Sequence, residues 1–458
     1  MTQILDPVFE ITDEPESLEE LLKSVKLLLK YSTKVGHRRK LNNPSTSFDV
    51  ISLAGEMMTS TTNTNMFTYE IAPVYTLIEG LVLDQMRTMV GWPPSQGDGI
   101  FAPGASMANM YAICVARHKF IPSFKNLGMV EQRKDLIVFT TSQCNPSTPR
   151  SAAIIGVGLK NVIFVDCNER GQMSVTDLER KIVSSLAAGS LPFFVSATSG
   201  SAMLGSFDSL TEIADVCDKY NLWLHVDASH GGGVMFSANH IHLVRGIRRA
   251  HSVTWNCHMM MNCTLQCSAI LIREKGLLEA CNSTCATYLF QQDKHYDVAY
   301  DTGDKAIQCG RHNDVYKLWL LWRSKGHTGM SDHVVRLFKM AAVFQEKLKS
   351  TPGVCMVLPE MEFVTICFWY VPEKMLKMTL KIPLNMLKFD WLEGNNNNNN
   401  YKNINNNDDN DNNNNDWLPT FYKVVINNSA TTSRDIDYVI NQMKRLADEE
   451  VNTLMMMK

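Results

Sequence analysis

The chain has 458 residues, 45% of them hydrophobic and 20% charged, with a formal net charge of −3. That length is enough for two domains with a large core, and the composition is that of an ordinary globular protein. The near balance of charge offers little attraction to nucleic acid or an anionic membrane, and no apolar stretch reaches the roughly 18–20 residues that span a bilayer.

In chain order, residues 1–50 read as an N-terminal arm, 51–325 as a large domain and 326–458 as a smaller α+β domain. The acidic opening, MTQILDPVFEITDEPESLEELL, fits neither a secretory signal nor an Arg-rich transit peptide. FAPGASMANMYAICVAR predicts an amphipathic helix entered through the small-residue turn Gly104-Ala105-Ser106. Strand-like runs follow: DLIVFT near 136, NVIFVD near 162, LPFFVSAT near 193, LWLHVDA near 224 and SVTW near 253. Their spacing, close to thirty residues, is that of a strand plus a crossover helix. Two intervening helices carry capping-box patterns, Ser174 with Asp177 and Ser209 with Glu212. Nearly continuous apolar strands alternating with amphipathic helices predict an α/β fold, a large, doubly wound, mostly parallel sheet covered on both faces.

Beyond residue 326 the pattern changes to a long helix (SDHVVRLFKMAAVFQEKLKS), the strands VCMVL, EFVTICFWYV and TFYKVVIN, and a final helix. Ile436, Val439, Ile440, Met443 and Leu446 make one apolar stripe on that last helix. Within residues 395–416, 15 of 22 are Asn and 4 are Asp, a tract with almost nothing to bury that reads as a disordered insertion. Twelve cysteines lie mostly in apolar runs without a regular framework, which suits reduced thiols in a cytoplasmic protein.

Four stretches converge on an aromatic phosphate cofactor. The turn at Gly104 offers backbone N–H groups at a helix start, where phosphate binds well, although small residues are common there. LHVDASHGGG ends a buried strand with Asp227, which suits the cationic partner of a cofactor or, equally, an ordinary strand end. VSATSGSAMLGSFD places Thr198 and Ser199 at another strand end. SVTWNCHMMMNCTLQCSAIL presents His258 and Met259 on a turn between two strand-like runs. Cys257, His258, Cys263 and Cys267 also invite a zinc reading, but their spacing lacks the Cys-x₂-Cys pattern.

These segments carry a resemblance that runs from about residue 14 to the end, the Asn-rich tract apart. LAGEMMTSTTNTNMFTYEIAPV (53–74), CNERG (167–171), EIADVCDKYNLWLHVDA (212–228), QCSAILIREKG (266–276) and YLFQQDKHYDVAYDTGDKAIQCGRH (288–312) resemble the animal glutamate decarboxylases. Those enzymes are group II pyridoxal-phosphate-dependent decarboxylases. The resemblance implies the aspartate-aminotransferase-like fold, type I among pyridoxal-phosphate enzymes. It also implies pyridoxal 5′-phosphate held as a Schiff base on a lysine, an acidic amino acid substrate, and a dimer with its active sites at the subunit interface. Asp227 matches the aspartate at the ring nitrogen, and Tyr288 the tyrosine of a mobile loop that protonates the product carbon. His258 matches a histidine of the family's turn, and Gly104, Ala105, Ser106 and Thr198 its cofactor-binding positions.

The departures concern function. Where the family has its lysine this chain has Met259, and no lysine lies between Lys219 and Lys275 to replace it. The histidine that stacks on the ring reads Asn145, the arginine that clamps the substrate carboxylate reads Lys423, a substrate-side glutamine reads Asn43, and a phosphate-loop glycine reads Ala105. Lys423 keeps a charge and loses the bidentate fork. The reading that follows is a catalytically inactive member, with the cofactor held without a covalent bond, weakly or not at all. Its partner would be a second copy or an active paralogue. The alternative is an active carboxy-lyase on glutamate, aspartate or cysteine sulfinate.

Overall fold

The computed structural model describes residues 11, 13–45, 47–93, 96–128, 134–284, 286, 294–372 and 421–456. The Asn-rich tract and Tyr288 lie outside the described residues.

Seven strands form the large sheet: β1 (Asp98–Ala102), β2 (Leu136–Thr141), β3 (Val162–Val165), β4 (Leu191–Thr198), β5 (Trp223–Asp227), β6 (Ser252–Asn256) and β7 (Ser268–Ile272). Their order is β1-β7-β6-β5-β4-β2-β3. All neighbours from β3 to β6 pair in parallel, while β7 runs antiparallel to both β6 and β1. This is the mostly parallel α/β sheet expected from the alternating pattern. The sequence pattern did not mark β1. Asp-Gly-Ile-Phe-Ala has a single β-branched residue, and it becomes a strand by completing the edge of β7, with Ile100 opposite Ile270.

Helices α1 (Leu18–Tyr31), α2 (Val50–Thr62) and α3 (Pro73–Val90) precede the sheet. Next come α4 (Ala105–Phe120), α5 (Ser147–Ile154), α6 (Val175–Ala187) and α7 (Leu210–Tyr220). The capping boxes form only in part. The Ser174 hydroxyl accepts from the Asp177 N–H, but the Asp177 carboxylate turns to the Asp166 N–H instead. Ser209 makes no side-chain cap at all, a correction to the expected box.

The central strands are less uniformly apolar than expected. Val195, Ala197, Leu224, Val226, Val253 and Trp255 face the main core. On the opposite face, in register across β4, β5 and β6, stand Ser196, His225 and Ser252, then Thr198, Asp227 and Thr254. Helix α4 packs over these strands. A polar row thus runs through an otherwise apolar layer and ends at Thr198 and Asp227, the carboxyl ends of β4 and β5, where ligands bind in such sheets.

Helix α8 (Val315–Lys349) leads to the second sheet and bends at Gly326, whose φ of 63° suits only glycine without strain. Strands β8 (Val354–Met356), β9 (Thr365–Tyr370) and β10 (Tyr422–Val425) pair antiparallel in the order β10-β9-β8. Helix α9 (Ser433–Met456) packs against α8 and buries Ile436, Ile440, Met443, Ala447 and Val451. Leu446, expected on that stripe, is only half-buried. The N-terminal arm threads beside β10, where the Val425 N–H donates to the Leu41 carbonyl at 2.6 Å. No helix among the described residues is long and apolar enough to cross a membrane.

Candidate functional site

The polar row ends in Asp227, which is 4% exposed. Its Oδ1 accepts from the Ser229 N–H at 2.9 Å and from the Ser229 hydroxyl. Its Oδ2 accepts from Asn109 Nδ2, on α4, at 2.8 Å. On this side of the sheet the Thr148, Thr198 and Thr254 hydroxyls, Ser199 Oγ, Asn256 Oδ1 and His230 Nδ1 are buried without a hydrogen-bond partner among the described residues. Each such group costs roughly 1–3 kcal/mol when left unmade. All but Thr148, which lies on α5, belong to β4 and β6 or the segments that follow β4 and β5, and a group of unpaired polar atoms there suits a polar ligand.

Asn109 lies one turn inside α4, so the helix entrance is about 6 Å away along the axis, the scale of a small ring bearing a phosphate arm. Gly104 is the residue before that helix, with φ 88° and no side-chain cap. Ala105 is buried, and Ser106 opens to solvent. The first N–H groups of α4 therefore have no capping side chain, as an anion site requires. Asp227 and this entrance are the two ends of one cradle.

The turn between β6 and β7 forms the third side. His258 is 5% exposed and lies against the residue before β7, where the Cys267 N–H donates to its Nδ1 at 3.0 Å. Burial depresses its basicity. Met260 and Met261 fill the core against Gly233, while Met259 is half-buried with its sulfur 3.9 Å from Asn256 Nδ2. His333 of α8 holds the turn by its contact with the Met260 carbonyl at 2.8 Å. Cys257, Cys263 and Cys267 are buried free thiols, each pushed up in pKa chiefly by burial. Among the described residues no three His, Cys, Asp or Glu side chains converge on a metal position.

The remaining sequence candidates are dispersed. Asn145 directs its Oδ1 to the Ser147 N–H at 3.0 Å, folding back to start α5. Lys423, on β10, donates to the Ala202 carbonyl at 3.1 Å, just past the end of β4, and burial lowers its pKa. Asn43 is exposed in the arm, with its Oδ1 on the Ser45 N–H. The next residue, Pro44, accepts from Asn427, and Asn427 in turn contacts His230. Thr198, Asp227 and the Gly104 entrance come together; Asn43 does not join them directly. Asn109, His225, Ser252 and Thr254 were not singled out from the sequence. The signal was there: S-V-T-W-N, H-V-D and S-A-T place polar residues at every second position.

A model of the pyridoxal-dependent decarboxylase conserved domain matches residues 3–371. Mouse CSAD is 37% identical, over 97% of this chain and 91% of that one, with a TM-score of 0.86. Two plant structures share the fold: tryptophan decarboxylase of Catharanthus roseus with L-tryptophan (20% identity, 96% and 90% covered, TM-score 0.78) and Oryza sativa TDC with pyridoxal phosphate and tryptamine (18% identity, 98% and 91% covered, TM-score 0.80). The extent of the domain match and the identity to mouse CSAD agree with the cradle around Asp227, and the chain belongs to the pyridoxal-dependent decarboxylase family.

Proposed function

We propose that this chain is a decarboxylase homologue without turnover that holds pyridoxal phosphate non-covalently and works as one subunit of a dimer, with itself or with an active paralogue. The observation that carries this reading is Met259, half-buried beside Asn256 at the turn where the family's lysine is expected. A thioether forms no covalent bond to an aldehyde and moves no proton.

The residues present fit the cofactor. The uncapped first turn of α4 suits its phosphate, and the Asp227 carboxylate suits a protonated ring nitrogen. The partnerless Thr198, Thr254 and Asn256 groups supply further polar contacts. When bound, pyridoxal phosphate supplies an electron-accepting ring. Lys423 offers a positive charge for a substrate carboxylate as a single point rather than a fork. Asn145, committed to its own turn, supplies no imidazole for stacking or proton transfer.

Leu18, Leu21, Leu22, Val25, Leu28 and Leu29 lie exposed along α1, as do Val74, Leu77 and Leu81 of α3. Apolar faces of that extent fit a partner chain. The buried free thiols fit a cytoplasmic setting.

The test is a visible spectrum and equilibrium dialysis of purified protein with added pyridoxal phosphate, alongside CO₂ release from glutamate, aspartate and cysteine sulfinate. Reversible uptake without CO₂ is expected, and sustained release from any of the three overturns the reading. A second reading, an active carboxy-lyase on an acidic amino acid, draws on the likeness to mouse CSAD and the cation kept at Lys423. It requires that release.

A further inference from the structure

Behind Asp227 lies a chain of buried groups that the family comparison does not assign. Asn109 Nδ2 stands 2.8 Å from Asp227 Oδ2 and 2.8 Å from Ser147 Oγ. Asn109 Oδ1 stands 3.1 Å from His225 Nε2. His225 Nδ1 is 2.8 Å from Ser252 Oγ, which also accepts from Trp223 Nε1 at 2.8 Å. All of these side chains are buried, and Phe194 stacks on the imidazole with ring centres 5.7 Å apart.

The direction of every link follows from elementary donor and acceptor rules. A carboxylate only accepts, so the amide NH₂ of Asn109 must face Asp227 and its oxygen must face His225. An amide oxygen only accepts, so His225 Nε2 carries a proton. Burial pushes the imidazole down to about 4, so the ring is neutral and its Nδ1 is a bare acceptor. Ser252 therefore donates to Nδ1 while accepting from Trp223, whose indole N–H only donates. All the dipoles point towards Asp227, and links in such a chain strengthen one another.

The carboxylate has about four lone-pair directions. Ser229 occupies two with its N–H and hydroxyl, and Asn109 takes a third. One direction on Oδ2 is left among the described contacts.

We propose that Asn109, oriented by His225 and Ser252, is a positioning residue that presents the Asp227 carboxylate with one open acceptor direction, selective for a cationic aromatic N–H. The inference rests on the retained-cofactor reading and adds to it the buried groups that orient Asp227 towards the ring nitrogen.

The experiment compares binding of pyridoxal phosphate with its carbocyclic analogue, in which the ring nitrogen is a C–H group, by equilibrium dialysis of the full chain. The wild-type protein should prefer the nitrogen compound by about tenfold or more, the scale of one charge-assisted hydrogen bond. Asn109→Leu should bind both compounds within about twofold of each other, because Asp227, without the Asn109 amide, is no longer held towards the ring nitrogen. Ser252→Ala, away from the ligand, should lose part of the preference and serves if the first variant does not fold. A role in stability alone would weaken both ligands equally and leave the preference intact, which overturns the proposal.

Nitrogen NMR of histidine-labelled protein without ligand gives a second measurement. His225 is expected as the neutral Nε2–H form, and finding the Nδ1–H form or the imidazolium also overturns the chain. If the wild-type protein binds neither compound, the retained-cofactor reading fails, and the His225 signal alone decides the direction of the chain.

Discussion

The sulfur of Met259 lies 3.9 Å from the amide nitrogen of Asn256, a residue whose own side-chain oxygen is buried without a partner among the described residues. The turn thus keeps a polar neighbour beside a side chain that gives it only a weak acceptor. Replacing the thioether by an amine of similar length restores a donor to Asn256 Oδ1 and a nucleophile to the turn. In M259K, borohydride treatment with pyridoxal phosphate should fix the cofactor at position 259, read by peptide mass, whereas the wild-type protein shows no adduct on that peptide. Turnover should stay low, because acid–base assistance alone is worth about 10²–10⁴-fold and Asn145 supplies none. CO₂ release from M259K at the rate of an active family member would contradict the account of Asn145 and Lys423.

His230 is fully enclosed, and burial, with a further push from the nearby Lys423, lowers its pKa to about 4 from 6.5. Its folded state therefore binds fewer protons than its unfolded state between those values. The stability that it contributes is complete above pH 6.5 and is lost as pH falls towards 4. The loss amounts to about 3 kcal/mol at most. Urea unfolding from neutral to acid pH should show a steeper decline for the wild-type chain than for His230→Gln. Parallel curves would show that the imidazole is hydrated or charged in the fold.

Two neighbouring glycines should respond differently to one added carbon. A Cβ on Gly232 would stand 2.5 Å from Cδ1 of the Trp255 ring, which the sheet holds in place. A Cβ on Gly233 would meet the sulfurs of Met260 and Met261 at 2.8 Å, and thioether chains can turn aside. G232A should cost the upper part of the overpacking range of about 1–3 kcal/mol, and G233A the lower part. Equal costs in chemical denaturation would mean that the methionines are as tightly held as the tryptophan.

Glu79 and Arg311 form a bidentate pair at 2.6 and 2.7 Å, and both side chains are 2% exposed. Glu79 also accepts from the Phe101 N–H, so one carboxylate joins α3, β1 and the segment before α8. Removing one partner strands a buried charge. E79M or R311M should each cost about 3–5 kcal/mol, and the double variant should recover much of that loss. A double variant no better than the singles would show that the Glu79 contact with the Phe101 N–H and the Arg311 contact with the Met66 carbonyl at 2.9 Å carry the stability instead.

The alternation of strands and helices along the chain was legible because the buried parallel strands are short apolar runs at a nearly constant interval. Asp227 and Thr198 were legible as strand ends followed by small residues. Strand β1 was not, since its pairing comes from the edge of β7 rather than from its own composition. The Ser209 box failed for a related reason, because a cap depends on the local backbone entry and not on spacing alone.

The sequence by itself determined the alternating fold, the polar residues at the ends of its central strands and a thioether at 259, where the resemblance implies an amine, all of which are local in the chain. Only the tertiary structure decided that Asn109 and Ser252, 118 and 25 residues from Asp227 in the numbering, act on it through amide and imidazole contacts. It alone, too, brought Lys423 to the turn after β4. Hydrogen bonds are made between side chains that packing brings within about 3 Å, and which donors reach which acceptors is settled by strand register and by the helix laid across it.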